Sequence, residues 1–181
     1  IVSGTETSRT VAPAGITAAQ LQRWLGGDIA IVRTMPNTPA LLGAGVTGLF
    51  ASDRVDAQGR DFADALLSAA GKTVWITDEA QMDAVTAVSG SGPAYVFLLA
   101  EAMVDAGIGE GLPPEAARTL ALQTVLGAAR MLTESDVDAA ELGRRVTSPN
   151  GTTQAAIETF EAGGLRTLVA DAIHAARVRG A

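Results

Sequence analysis

The chain has 181 residues, 48% of them hydrophobic, a formal charge of −7, no cysteine and a single histidine. That length can bury one good core or two small ones without a disulfide or metal staple, and the missing thiols exclude a cysteine nucleophile and a Cys-based zinc site. One histidine cannot build a multi-histidine metal centre and the acidic balance repels a phosphate backbone, so no metal ligands are assigned and nucleic acid is set aside as a partner.

The apolar residues are mostly Ala, Leu and Val interrupted by charges, and no uninterrupted run reaches membrane-spanning length. The opening IVSGTETSRT carries neither the basic flank nor the apolar core of a signal peptide. Together these features predict a soluble, cytoplasmic protein without a membrane partner.

In chain order, AAQLQRWLG (18–26) has apolar residues at helical spacing and a glycine stop, and DIAIVRTMP (28–36) reads as a buried strand. GVTGLFAS (45–52) reads as a second strand, antiparallel to the first. DAQGRDFADALLSAAG (56–71) is a helix from an acidic N-cap to a glycine C-cap, followed by the strand KTVWIT (72–77). Beyond residue 78 the β signal stops. DEAQMDAVTAVSG (78–90) is helical, and SGSGPAYVFLLAEAMVDAGIGEG opens a helix with Pro93 in its first turn, where a missing N–H costs nothing. PPEAARTLALQTVLGAARMLTES (113–135) is a long amphipathic helix, and three further helical patterns complete the chain.

The expected organisation is therefore α/β over residues 1–77 and all-α over residues 78–181. Three or so strands do not make a stable covered parallel sheet by themselves. A dinucleotide-binding domain also opens with a strand, a Gly-x-Gly-x-x-Gly turn and a helix, and that fingerprint is missing from this stretch.

Three polar loops sit where an element ends or begins. MPNTP places Met35, Pro36, Asn37 and Thr38 at the carboxyl end of a strand, where open α/β sheets bind ligands; the plain alternative is a turn stiffened by two prolines. SGSGPAY places Gly90, Ser91, Gly92 and Pro93 before a helix, where glycines allow close backbone approach; the plain alternative is an N-cap and a tight helix crossing. TSPNGTT supplies Ser148, Pro149, Asn150, Gly151, Thr152 and Thr153 at a helix start, an anion cradle suited to a carboxylate or phosphate. Its plain alternative is an ordinary helix start capped by Thr152 or Thr153. His174, the pair Arg144 and Arg145, and the lone lysine Lys72 read as surface or solubilising groups, the arginines of interest for their nearness to the third loop.

Three blocks, VRTMPNTPALLGAGVTGLFA (32–51), AVSGSGPAYVFLLAEAMVDAG (87–107) and LGRRVTSPNGTTQAAIETFEAGGLR (142–166), resemble the pyrroline-5-carboxylate reductases in content, order and spacing. The resemblance runs from about residue 14 to the C-terminus, with Asn at position 150 where many members have Gly. It implies the C-terminal part of a Rossmann-type NAD(P)-binding domain followed by a helical domain that dimerises, dimers often assembling into larger rings. The implied reaction is reduction of the cyclic imine 1-pyrroline-5-carboxylate to L-proline by NADPH or NADH, the last step of proline synthesis.

By the same resemblance Thr153 hydrogen-bonds the ring nitrogen and relays a proton, Val146 packs on the ring, and residues 148–152 hold the substrate carboxylate. Met35, Pro36, Asn37 and Thr38 would border the nicotinamide and its ribose, and Gly90, Ser91, Gly92 and Pro93 would shape the wall where the domains meet, some groups coming from a partner chain. Two rivals remain. Hydroxy-acid dehydrogenases of related architecture rely on a lysine in the helical domain, and residues 78–181 contain none. A fragment lacking the nucleotide loop could instead be a catalytically incompetent helical dimerisation module.

Overall fold

The computed structural model describes residues 15–27 and 29–180, and the backbone of residues 8–11. Residues 1–7, most of the stretch on which the signal-peptide reading rests, and Asp28, expected at the head of a strand, lie outside the described residues. The chain divides into two compact units, Ile1–Pro93 with Asp171–Ala181, and Ala94–Ala170.

The first unit is built on a four-stranded sheet in the order β1 (Ser8–Val11), β2 (Ala30–Met35), β3 (Gly45–Ala51), β4 (Gly71–Trp75). β1 and β2 are parallel, β2 and β3 antiparallel as expected, and β3 and β4 parallel. β1 lies outside the three strands that the residue pattern predicts, so the sheet has one strand more than expected.

β2 is buried almost end to end because both faces of the sheet are covered. Successive strand side chains point to opposite faces. Ile31 packs with Ala18, Leu21 and Ile29 on the side of α1 (Ala18–Leu25), while Val32 packs with Leu49, Ala51, Val55 and Ala63 on the side of α2 (Ala57–Ser68). α1 opens on a capping box between Thr17 and Gln20 and closes on left-handed Gly26. α2 opens on Asp56, whose carboxylate accepts the Gly59 N–H at 2.8 Å.

The glycine stop expected at Gly71 does another job. α2 is capped by Ala69, and Gly71 begins β4 at φ +144°, where an added Cβ would strike the Gly45 carbonyl. Only glycine lets the two strands start this close. On the α1 side, Arg33 is 5% exposed. Its guanidinium meets the Glu79 carboxylate at 2.9 Å, and Glu79 also accepts the Ala18 N–H at 2.6 Å. One carboxylate thus ties β2, the start of α1 and the segment after β4.

After β4 the path stays helical: a 3₁₀ turn (Glu79–Gln81), α3 (Met82–Val85), a π-helical turn (Thr86–Gly90) and α4 (Gly92–Gly109). The sequence reading broke this stretch at its glycines. The structure joins it into one run of 31 residues, Glu79–Gly109, within which an 18-residue window has mean hydropathy 1.3, long and apolar enough by length and composition to cross a membrane. Ser89, Ser91, Glu101 and Asp105 interrupt it, so no uninterrupted apolar run spans that length, but helical continuity through Ser89, Gly90 and Ser91 joins the apolar residues on either side.

The second unit holds the rest of α4 with α5 (Pro114–Glu134), α6 (Ala139–Arg145) and α7 (Thr152–Ala162), and α8 (Leu165–Gly180) starts within it. Its buried hydrophobic residues are alanines, Ala100, Ala117 and Ala121, and Gly107 lies close against Ala117. Phe97, Leu98 and Leu126 are 67%, 66% and 53% exposed.

The fold class is that expected, a Rossmann-type α/β portion followed by an all-α portion. The strands end at Trp75, near the change of texture at residues 77–78, whereas the compact units part at Pro93 and Ala94. Residues 78–93 belong with the sheet because α3 packs on β3, where a Cβ on Gly48 would strike Val85.

Candidate functional site

The loop after β2 carries Met35 and Asn37 half-buried and Pro36 and Thr38 exposed. Pro39 starts the following 3₁₀ turn (Thr38–Leu42) in its first two positions, and Asn37 occupies the N-cap without capping it. Its carboxamide is used elsewhere. Oδ1 accepts the Val46 N–H at 3.0 Å, and Nδ2 donates to the Ser89 carbonyl at 3.2 Å. The structure thereby brings the first two polar loops together: Asn37 reaches the π-helical turn, and a Cβ on Gly90 would stand 2.6 Å from the Met35 Cε. Gly90 keeps this contact between methyl and backbone open.

Pro93 is the second residue of α4, in its first turn as expected. It lies inside the helical path from Glu79 to Gly109, so its missing N–H and its ring have to be accommodated. The sequence signal for this was the spacing of Ser89 and Pro93, one α-helical hydrogen bond apart.

The third loop belongs to the second unit. The Thr147 N–H donates to the Arg144 carbonyl at 3.2 Å and the Gly151 N–H to the Ser148 carbonyl at 3.0 Å, folding residues 148–151 into a tight turn. Asn150 sits at φ +59°, a left-handed conformation that Asn and Gly adopt most readily. Asn is therefore compatible with this position, where the family resemblance implies Gly in many members. Its N–H donates to the Gln154 Oε1 at 2.7 Å, which pins the turn to the first turn of α7.

Gly151 is the N-cap of α7, and no side chain caps that helix. Thr152 and Thr153 are its first two residues, so neither is the capping residue of an ordinary start. The helix opens with uncapped amides flanked by the Ser148, Thr152 and Thr153 side chains, and a helix N-terminus of this kind favours an anion. Thr153 is half-buried; Val146, Ser148, Pro149 and Thr152 are exposed.

Just upstream, Arg144 grips the Glu141 carboxylate through Nε and a terminal nitrogen, both at 2.7 Å, and Arg145 Nε reaches the same carboxylate at 2.8 Å. The Arg144 guanidinium, then that of Arg145, holds the Glu141 carboxyl below its ordinary range. The pair is thus committed to Glu141 on the surface of α6. His174 is exposed on α8 and Lys72 exposed on β4. Among the described residues no three His, Asp or Glu side chains gather where they could hold a metal ion.

Residues 79–181 match the family model described as pyrroline-5-carboxylate reductase dimerisation. The pyrroline-5-carboxylate reductase of Pseudomonas aeruginosa is 58% identical over 93% of this chain and 62% of its own length. That of Haemophilus influenzae is 46% identical over 90% of this chain and 60% of its own. The solved structure of a pyrroline-5-carboxylate reductase from Coxiella burnetii superposes with a TM-score of 0.94 at 43% identity, covering 98% of this chain and 66% of that one. The Plasmodium falciparum pyrroline carboxylate reductase, solved with NADP bound, gives 0.83 at 32% identity, covering 92% and 67%. This chain therefore spans about three fifths of the length of the curated relatives it matches, 62% and 60% of these two. On the family model and these relatives, the chain belongs to the pyrroline-5-carboxylate reductase family.

Proposed function

We propose that the polypeptide carrying this chain reduces 1-pyrroline-5-carboxylate to L-proline with NADPH or NADH, in the cytoplasm and as a homodimer or a ring of dimers. The observation that carries the reading is the tight turn at residues 148–151 feeding the uncapped start of α7. A small carboxylate fits there, held by the first amides of the helix and the hydroxyls of Ser148 and Thr152. Thr153, one residue further into the helix, hydrogen-bonds the ring nitrogen and supports its change from imine to amine, and Val146 packs on the ring.

The reduced nicotinamide supplies the hydride; the protein's share is orientation and electrostatics, and neither a thiol nor an imidazole is needed for it. The residues around the loop after β2 fit a flat ring. Pro36 and Thr38 are exposed at a strand's carboxyl end, and Gly90, lacking a Cβ, leaves the Met35 methyl against the backbone. Met35, Pro36 and Thr38 border the nicotinamide and its ribose, Asn37 belongs to the same loop, and Gly90, Ser91, Gly92 and Pro93 form the adjoining wall. Residues 1–77 serve the cofactor, and residues 78–181 serve dimerisation and substrate binding. The apolar side of the Glu79–Gly109 run is covered by a second copy of the protein, not by lipid.

Steady-state kinetics of imine-dependent NADPH oxidation test this. Thr153→Ala costs roughly 1–3 kcal/mol of transition-state stabilisation, the scale of a hydrogen bond to a polar or charged partner, and Thr153→Ser recovers most of it. Wild-type turnover in Thr153→Ala removes the residue from the mechanism.

A further inference from the structure

In an α-helix the Ser89 carbonyl would accept the N–H of residue 93, and residue 93 is proline. A proline ring also crowds the carbonyl four residues before it. The helix answers by widening: the Ser91 N–H closes a π-type bond to the Thr86 carbonyl at 2.8 Å, so that one extra residue is taken up immediately before Pro93. The Ser89 hydroxyl turns back to the Val85 carbonyl at 2.9 Å. The Ser89 carbonyl receives its side-chain donor from another part of the unit, the Asn37 Nδ2 at 3.2 Å.

The other end of the same amide accepts the Val46 N–H at 3.0 Å, at the start of β3. A carboxamide has one accepting and one donating end, and only this orientation serves both partners. Asn37 is thus a strut between the sheet and a proline-widened helical turn, one residue from the exposed Pro36 and Thr38 on either side. Moving the strut moves Gly90, and with Gly90 the surface against which the Met35 methyl rests.

We propose that Asn37 is a positioning residue, not a cofactor ligand: it acts on turnover by holding the Ser89 carbonyl and the π-helical turn in register with the loop after β2. The effect on turnover rests on the reductase reading above; the strut itself does not.

Amide hydrogen exchange and kinetics on two variants test it. Asn37→Ala removes both bonds, and exchange quickens at Val46 and at Ser91. Asn37→Asp keeps the acceptor for Val46 but turns a carboxylate oxygen on the Ser89 carbonyl, so exchange quickens at Ser91 while Val46 stays protected. Turnover falls about tenfold in both variants, the scale of one lost hydrogen bond to a backbone group, with the KM for the cofactor within about twofold of wild type. Acidification that protonates the introduced carboxyl restores the donor, and the Asn37→Asp deficit relative to wild type shrinks. Unchanged exchange at Ser91 in both variants overturns the strut, and a loss confined to the cofactor KM makes Asn37 a direct ligand instead. A wild-type protein that reduces no imine removes the reductase reading and the turnover role with it, while the exchange comparison still decides the strut.

Discussion

Leu49 in the first unit is fully buried; Phe97 in the second is two-thirds exposed. Both are large apolar residues on regular elements, and the difference lies in what each unit can cover by itself. A sheet with helices on opposite faces closes two small cores, one on each side of β2. The helices of the second unit meet through alanine and glycine and leave their larger side chains outward. An apolar surface of that kind marks an interaction face. The first unit is held by its own core, and the second leaves exposed the apolar side chains that the proposed dimer would cover.

The strongest test of that contrast is Leu49→Ala, which empties a closed core and costs about 3–4 kcal/mol in chemical denaturation. Phe97→Asp acts on the open unit. If the proposed dimer forms through this face, it weakens association about a hundredfold, read by sedimentation equilibrium, and leaves the first unit's unfolding unchanged. A dissociation constant that does not move breaks the comparison.

Glu79→Ala is expected to cost about 2 kcal/mol of the first unit's stability, because it strands the buried Arg33 guanidinium. The loss stays below that of a fully buried pair, since the Glu79 side chain keeps 26% of its exposure and water can reach the gap. The smallest effect is at Glu141. Its folded-state carboxyl lies below the ordinary value of 4.5, so the stability it contributes is present above that value and is lost as pH falls through the lowered one. The wild-type advantage over Glu141→Gln, measured by denaturation across pH, therefore vanishes in acid; an advantage that grows in acid contradicts the pairing with Arg144 and Arg145.

The three polar loops were legible because each combines residues with few other uses: proline beside Asn, paired glycines before a helix, hydroxyls before an apolar helical pattern. The structure sharpened two of them. Thr152 and Thr153 are inside α7 and not its cap, because Gly151 takes the N-cap once Asn150 turns left-handed. Pro93 stands in the first turn of α4 as expected, but the π-helical turn carries the helical path through the glycines ahead of it. β1 escaped notice because four residues are too few to show a period.

By itself the sequence determined the local conformations and their order: where a chain alternates, where it repeats every three to four residues, which residues permit a left-handed turn. Short-range sterics and hydrogen bonding decide such things within a few residues. It took the tertiary structure to decide that Asn37 reaches Ser89, 52 positions away, that Glu79 serves Arg33 and α1 together, and that Gly71 is there for a neighbouring strand. Those are long-range contacts, and a residue's type says what it can bond to without saying which partner the fold will bring within reach.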